Sequence, residues 1–105
     1  TNYKAVKKLG KVNLKSVSSV RKNHTIKATW AKKSGASGYQ IYYSRNKNFK
    51  KLAAKKTVKG GKTKSYVGKN FTKGKKYYVK VRAYKNVNGK KVYGKWSSVK
   101  SVKCK

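Results

Sequence analysis

Not one Asp or Glu occurs among the 105 residues, against thirty-two Lys and Arg and a formal charge of +32. A soluble domain of ordinary composition gives roughly a quarter of its residues to charges of both signs, so about a dozen carboxylates would be usual. Their absence removes the side chains on which most general acid–base catalysis and oxygen-ligated metal binding depend. It also leaves no partner for an internal ion pair except the C-terminal carboxylate. Every surface lysine repels its neighbours, so apolar packing and backbone hydrogen bonding must hold the chain together. Proline is absent as well, and a single cysteine, Cys104, excludes an internal disulfide. It reads as a small hydrophobe on a terminal strand or, alternatively, as a thiol open to labelling or to a disulfide-linked dimer. Apolar runs are only a few residues long, far below the ~20 needed to cross a bilayer. With neither a signal peptide's apolar stretch nor an initiator Met, the chain reads as a mature fragment or an excised module.

The chemistry that survives these absences is narrow. Only His24 and Cys104 could titrate usefully near neutrality; no Asp exists to orient the imidazole, and no motif surrounds either residue. Zinc requires three or four ligands and calcium six or more oxygens, and neither set is present, so no metal or other cofactor is expected. The run Gly60-Gly61-Lys62-Thr63 ends like a phosphate-binding loop, but the full spacing needs glycine where Lys56 stands and a helix afterwards. It is expected to be a turn, and the chain is expected not to be an enzyme.

What is present is alternation. A chain of this length has room for one domain, spanning 1–105 with its core at about 11–104, because it buries about two-thirds of its surface. Twelve per cent of the residues are aromatic, and with many Val and Ile they favour a packed sheet over a disordered polycation. Val12 and Leu14 alternate with lysine and asparagine, and Ile26, Ala28 and Trp30 with threonine and lysine, which predicts the first two strands. After a loop over 34–38, Tyr39, Ile41 and Tyr43 share one face of a third strand and Gln40, Tyr42 and Ser44 the other. A weaker strand over 51–58 has Leu52 and Val58 as inward anchors, and Ser65, Tyr66 and Val67 form a short one. Over 75–85, Tyr77, Val79, Val81 and Ala83 point inward, which turns Tyr78, Lys80, Arg82 and Tyr84 outward. Asn88-Gly89 predicts a hairpin into a last strand over 91–104, broken near Gly94. Seven strands without a helical period predict an all-β, antiparallel seven-stranded sandwich.

Three segments carry a family resemblance: Ile26-x-Ala28-x-Trp30, the run from Gly38 to Ser44, and Phe71-x-x-Gly74-x-x-Tyr77-x-Val79-x-Val81-x-Ala83. Together they resemble a fibronectin type III domain over nearly the whole chain, which implies an immunoglobulin-like sandwich. The resemblance also implies that Trp30 is a core residue and that Tyr77 turns its hydroxyl back onto the preceding loop. The segment from Tyr77 to Ser98 is similar to lysine-rich modules of secreted or cell-surface proteins of Gram-positive gut bacteria, which usually act as spacers or adhesion units. A secreted or cell-surface location is what that resemblance implies. The missing acids and the terminal Cys104 depart from it and suggest a redesigned, supercharged version.

In the resembled fold the third and sixth strands are neighbours. Tyr42, Tyr78, Lys80, Arg82 and Tyr84 would then share one outer face on which rings and cations interleave. Such a face can hold phosphate or sulfate while stacking on bases or sugars. These five residues are the candidate polyanion-binding site; the structural alternative is a half-exposed sheet with paired tyrosines and solvated lysines. Lysines elsewhere, among them Lys4, Lys7, Lys8, Lys32, Lys33, Lys50, Lys51, Lys55, Lys56, Lys90 and Lys91, imply a nearly isotropic positive potential. The expected partners are therefore polyanions bound nonspecifically: nucleic acid, sulfated glycans, anionic wall polymers or membrane surfaces. High charge also favours a soluble monomer. The competing reading is an engineered or natural inert spacer or scaffold whose charge serves solubility, cell delivery or a test of folding without acids.

Overall fold

Wherever β-branched and aromatic residues alternate with lysine, serine or threonine, the backbone is extended. The computed structural model describes residues 10–19 and 24–104. Lys4, Lys7, Lys8 and the C-terminal carboxylate lie outside the described residues. Among the described residues eight strands follow one another: β1 (Leu14–Ser18), β2 (Ile26–Trp30), β3 (Gly38–Ser44), β4 (Leu52–Lys59), β5 (Ser65–Gly68), β6 (Lys76–Val87), β7 (Lys90–Tyr93) and β8 (Lys100–Lys103). They build one sheet in the order β1-β2-β5 and a second in the order β4-β3-β6-β7, with β8 also on β6. Every pairing is antiparallel, so the molecule is the expected all-β sandwich.

Eight strands replace the expected seven because the final segment divides in two along a single edge of β6. β7 pairs with Tyr84–Val87 and β8 with Lys76–Val79. Between them the chain leaves regular pairing, and a side chain carries the ladder: the Ser97 amide donates to the Val81 carbonyl, while Ser97 Oγ accepts from the Val81 amide at 2.9 Å. The turn before β7 is the expected hairpin. Asn88 and Gly89 both hold positive φ, 51° and 80°, which is what a two-residue turn matched to strand twist requires. Gly60 and Thr63 close a turn through a backbone bond of 3.2 Å, as read from the sequence.

The inward faces meet in one cluster. The three-stranded sheet contributes Leu14, Ile26, Ala28 and Trp30, and the larger sheet contributes Tyr39, Ile41, Tyr43, Tyr77, Val79, Val81 and Ala83. Val12, Phe71 and Cys104 fill the ends of the same core. Burying each large side chain contributes roughly 1.5–3 kcal/mol, and this is the term that must outweigh chain entropy where carboxylates are lacking. Trp30 lies 5.3 Å, centroid to centroid, from Tyr39. The Tyr77 hydroxyl accepts from the Thr72 amide at 2.9 Å, in the loop before β6. Both therefore occupy the scaffold positions that the resemblance implies.

One expectation about the core changes. Val58 packs against it, but Leu52 does not: the register shifts between Tyr43 and Ser44, and Leu52 is left half-buried in an open cleft beside Arg45, Asn46, Lys51 and Ala53. Cys104 is 1% exposed and follows β8, its amide donating to the Lys75 carbonyl. A disulfide to a second copy would require it to leave the core.

Candidate polyanion-binding face

The outer face of the larger sheet is built on the β3–β6 pairing, which sets Tyr42 opposite Lys80, Gln40 opposite Arg82 and Gly38 opposite Tyr84. Two neighbours fold over this face. The stretch between β7 and β8 lays Trp96 across β6, anchored by the Ser97–Val81 bonds, and the loop joining β3 to β4 brings in Phe49. Phe49 holds φ of 57°, a left-handed conformation costly for an aromatic residue. It is retained where its ring meets the Lys80 ammonium.

A ladder results. Lys80 Nζ lies 4.4 Å from the Phe49 ring centroid and 4.5 Å from that of Trp96. The Arg82 guanidinium carbon follows at 4.3 Å from Trp96 and 3.8 Å from Tyr93. Rings and cations thus alternate in the order Phe49, Lys80, Trp96, Arg82, Tyr93. Tyr42 flanks the middle, 4.5 Å from Trp96 and within 6 Å of both cations. Each cation–ring contact is worth roughly 0.5–1 kcal/mol at a partly exposed site. Desolvation among the rings, and secondarily the charge of Arg82, pull the Lys80 ammonium below the usual lysine range. In a chain without carboxylates, aromatic faces supply the negative potential that acids normally provide.

The candidate residues separate on this geometry. Tyr42, Lys80 and Arg82 sit together in the ladder. Tyr78 lies on the same face but pairs with Ser44 and Ser101 instead, and its ring carries Lys76 Nζ at 5.3 Å. Tyr84 is on the outer side as alternation requires, but it is not open to solvent: it is 2% exposed. Gly38 opposite leaves the space its ring fills, since a Cβ there would stand 2.5 Å from Tyr84 Oη. Tyr93 closes the other side at 6.2 Å. Tyr84 therefore cannot serve as a stacking platform. Gln40 belongs to the face, where its parity with Tyr42 places it, and Phe49, Tyr93 and Trp96 join it without having been singled out by the sequence reading. Tyr93 was the findable one, because it alternates with the inward Val92; Phe49 and Trp96 lie outside strands and carry no periodic signal.

Charge is also less even than composition implies. The outer face of the larger sheet carries Lys55, Lys59, Lys76, Lys80, Arg82, Lys91 and Lys103. The strand register sets Ser16, Ser18, Thr29, Ser65 and Val67 on the outer face of the smaller sheet together with Lys27, and Lys15 is exposed at the bulge in β1.

A family model described as "Fibronectin type III domain" matches residues 11–100. The chain belongs to the fibronectin type III family. Solved structures share its fold at low identity. It superposes on the chicken CNTN1 FN1–FN3 domains with TM-score 0.71 and 19% identity, over 90% of this chain and 30% of that one. The FN5 domain of Drosophila Lar gives 0.64 and 18%, over 91% of this chain and 96% of that. An Fn3-like protein from Clostridium thermocellum gives 0.58 and 19%, over 87% and 86%. The chain thus spans about a third of the chicken FN1–FN3 chain and nearly all of the Drosophila domain. A search of curated sequences finds no match. In this fibronectin type III domain the ladder occupies the outer side of the larger sheet, on the opposite side of β3 and β6 from the core.

Proposed function

We propose that this fibronectin type III module is a non-catalytic adhesion unit that binds polyanions by salt-sensitive electrostatics. Its ligands are anionic wall or cell-surface polymers, heparin-like glycans or nucleic acid. The observation that carries the reading is a charge of +32 with no acidic side chain, with seven of the thirteen strand cations on the outer face of the larger sheet. The ring faces of the ladder are already covered by the module's own cations. Contact with a polymer is therefore made through ammonium and guanidinium N–H groups rather than by base stacking, with Tyr42, Lys80 and Arg82 central and Tyr78 peripheral. Sequence-specific reading of bases has no structural counterpart here, and neutralised charge should dominate.

Retention on heparin or DNA columns tests this. A module contacting about six phosphates should lose ~10³ in affinity between 50 and 200 mM salt. A near-neutral module of the same fold, run alongside, should pass through. The inert spacer or scaffold reading is favoured by that same internal occupation of the ring faces. It would be upheld by elution of the two modules at equal salt.

A further inference from the structure

Arg82 is held on three sides. Its guanidinium carbon stacks at 3.8 Å on Tyr93 and 4.3 Å on Trp96, and its Nε donates to Gln40 Oε1 at 2.8 Å. Gln40 is itself buried, at 7% exposure. A guanidinium carries five N–H donors in a rigid fork. One is committed to Gln40, and the four on Nη1 and Nη2 have no protein partner among the described residues. No acidic side chain exists anywhere in the chain to meet them.

This is a cation oriented in advance. An exposed lysine that binds an anion must give up rotamer freedom, whereas Arg82 has already lost it in the stack. The planar fork matches two oxygens of an oxyanion and acts at close to full strength where stacked rings exclude water. Lys80 lies two residues away on the same strand face, roughly 7 Å along it, with its ammonium 4.5 Å from the same Trp96 ring. A tetrahedral anion accepted by the fork has further oxygens to offer Lys80. A planar carboxylate has none.

We propose that Arg82, with Lys80 beside it, forms a discrete site for one tetrahedral oxyanion, the sulfate or phosphate monoester group of an anionic polymer. The inference rests on the polyanion-binding reading and narrows it from diffuse charge to a defined point of contact. Tyr93, Trp96 and Gln40 act as positioning residues for the fork.

The test is an NMR titration of the full chain with sodium sulfate, sodium chloride holding the ionic strength constant, following the Arg82 Nε–H and Trp96 Nε1–H signals. Saturable one-to-one shifts at these signals are expected with sulfate and with inorganic phosphate near pH 7.5; whichever binds more tightly identifies the ester preferred. Acetate should bind about tenfold more weakly. Arg82→Lys keeps the charge but loses the fork and should weaken sulfate about tenfold, whereas Arg45→Lys should leave the titration unchanged. Gln40→Ala, which frees the fork without altering charge, should weaken it too. Shifts that stay linear in sulfate and spread over the lysine-rich loops would overturn the proposal, as would an Arg82→Lys protein that saturates like the parent or acetate binding as tightly as sulfate. Heparin retention of the unmodified chain separates the two readings. Retention without a saturable sulfate site removes this proposal alone, and a saturable site without retention supports it while removing the polymer reading.

Discussion

Replacing Trp96 with alanine removes the central rung of the ladder, and the cost follows from what the indole touches. The ring meets Tyr42 at 4.5 Å with a 50° tilt, a geometry worth roughly 0.5–1.5 kcal/mol. It also meets Lys80 Nζ at 4.5 Å and the Arg82 guanidinium at 4.3 Å, at roughly 0.5–1 kcal/mol each. Exposure of the half-buried ring surface adds about 1 kcal/mol. Trp96→Ala should therefore destabilise the fold by about 2.5–4.5 kcal/mol. At roughly 4 °C per kcal/mol for a domain of this size, the melting temperature should fall by about 10–18 °C. Thermal unfolding followed by circular dichroism measures it. The salt dependence separates ladder packing from general charge rearrangement. At 1 M NaCl the Debye length is only about 3 Å, so an effect of dispersed charges would collapse, while interactions at van der Waals range should persist. Trp96→Phe should recover much of the stability. A fall below about 3 °C, or one that vanishes in high salt, would show that the ladder does not stabilise this sheet.

The remaining predictions concern repulsion, packing and a buried hydroxyl. Melting temperature should rise with ionic strength, sulfate exceeding chloride, because screening relieves repulsion among cations that lack acidic neighbours; a flat or falling curve would contradict this. Gly38→Ala places a Cβ 2.3 Å from the Val58 carbonyl oxygen and 2.5 Å from Tyr84 Oη. The overpacking cost of about 1–3 kcal/mol should exceed the roughly 0.5–1 kcal/mol gained by removing a glycine, and a higher melting temperature would refute the account of Tyr84 burial. The Tyr43 hydroxyl is buried without a protein hydrogen-bond partner, and burial first, then Tyr66, hold it well above the usual tyrosine range. Because the folded value lies above the unfolded value of about 10, this contribution is intact below that pH and lost as pH rises past it. Tyr43→Phe should therefore stabilise the fold by up to about 1 kcal/mol at pH 7, with an advantage that widens at pH 11. Denaturant unfolding of both proteins at the two pH values gives the comparison, and a destabilised variant would refute it.

Strand positions were legible because period-two alternation is local: Ile26, Ala28 and Trp30, or Tyr77 through Ala83, declare their buried side without reference to any partner. The hairpin at Asn88-Gly89 was legible for the same reason, since positive φ is a demand on two adjacent residues. Half of the ladder was visible as well, because Lys80 and Arg82 share parity and Tyr42 lies on a neighbouring strand. Its aromatic half was not. Trp96 reaches the face only because the chain leaves regular pairing after β7, and Phe49 only because a loop closes back over the sheet.

The sequence by itself determined the fold class and the sign of the field. Alternation specifies which side chains leave water, and a composition without acidic side chains leaves the net charge strongly positive. Tertiary structure alone decided what each outward side chain meets. Alternation assigns Tyr84 to the outer side, but the hollow above Gly38 and the wall of Tyr93 bury it. It assigns Arg82 to solvent, but Trp96 and Tyr93 clamp its faces and leave one edge open. Which side of a strand a residue occupies is set by its own backbone, whereas what covers that side is set by residues far away in the chain.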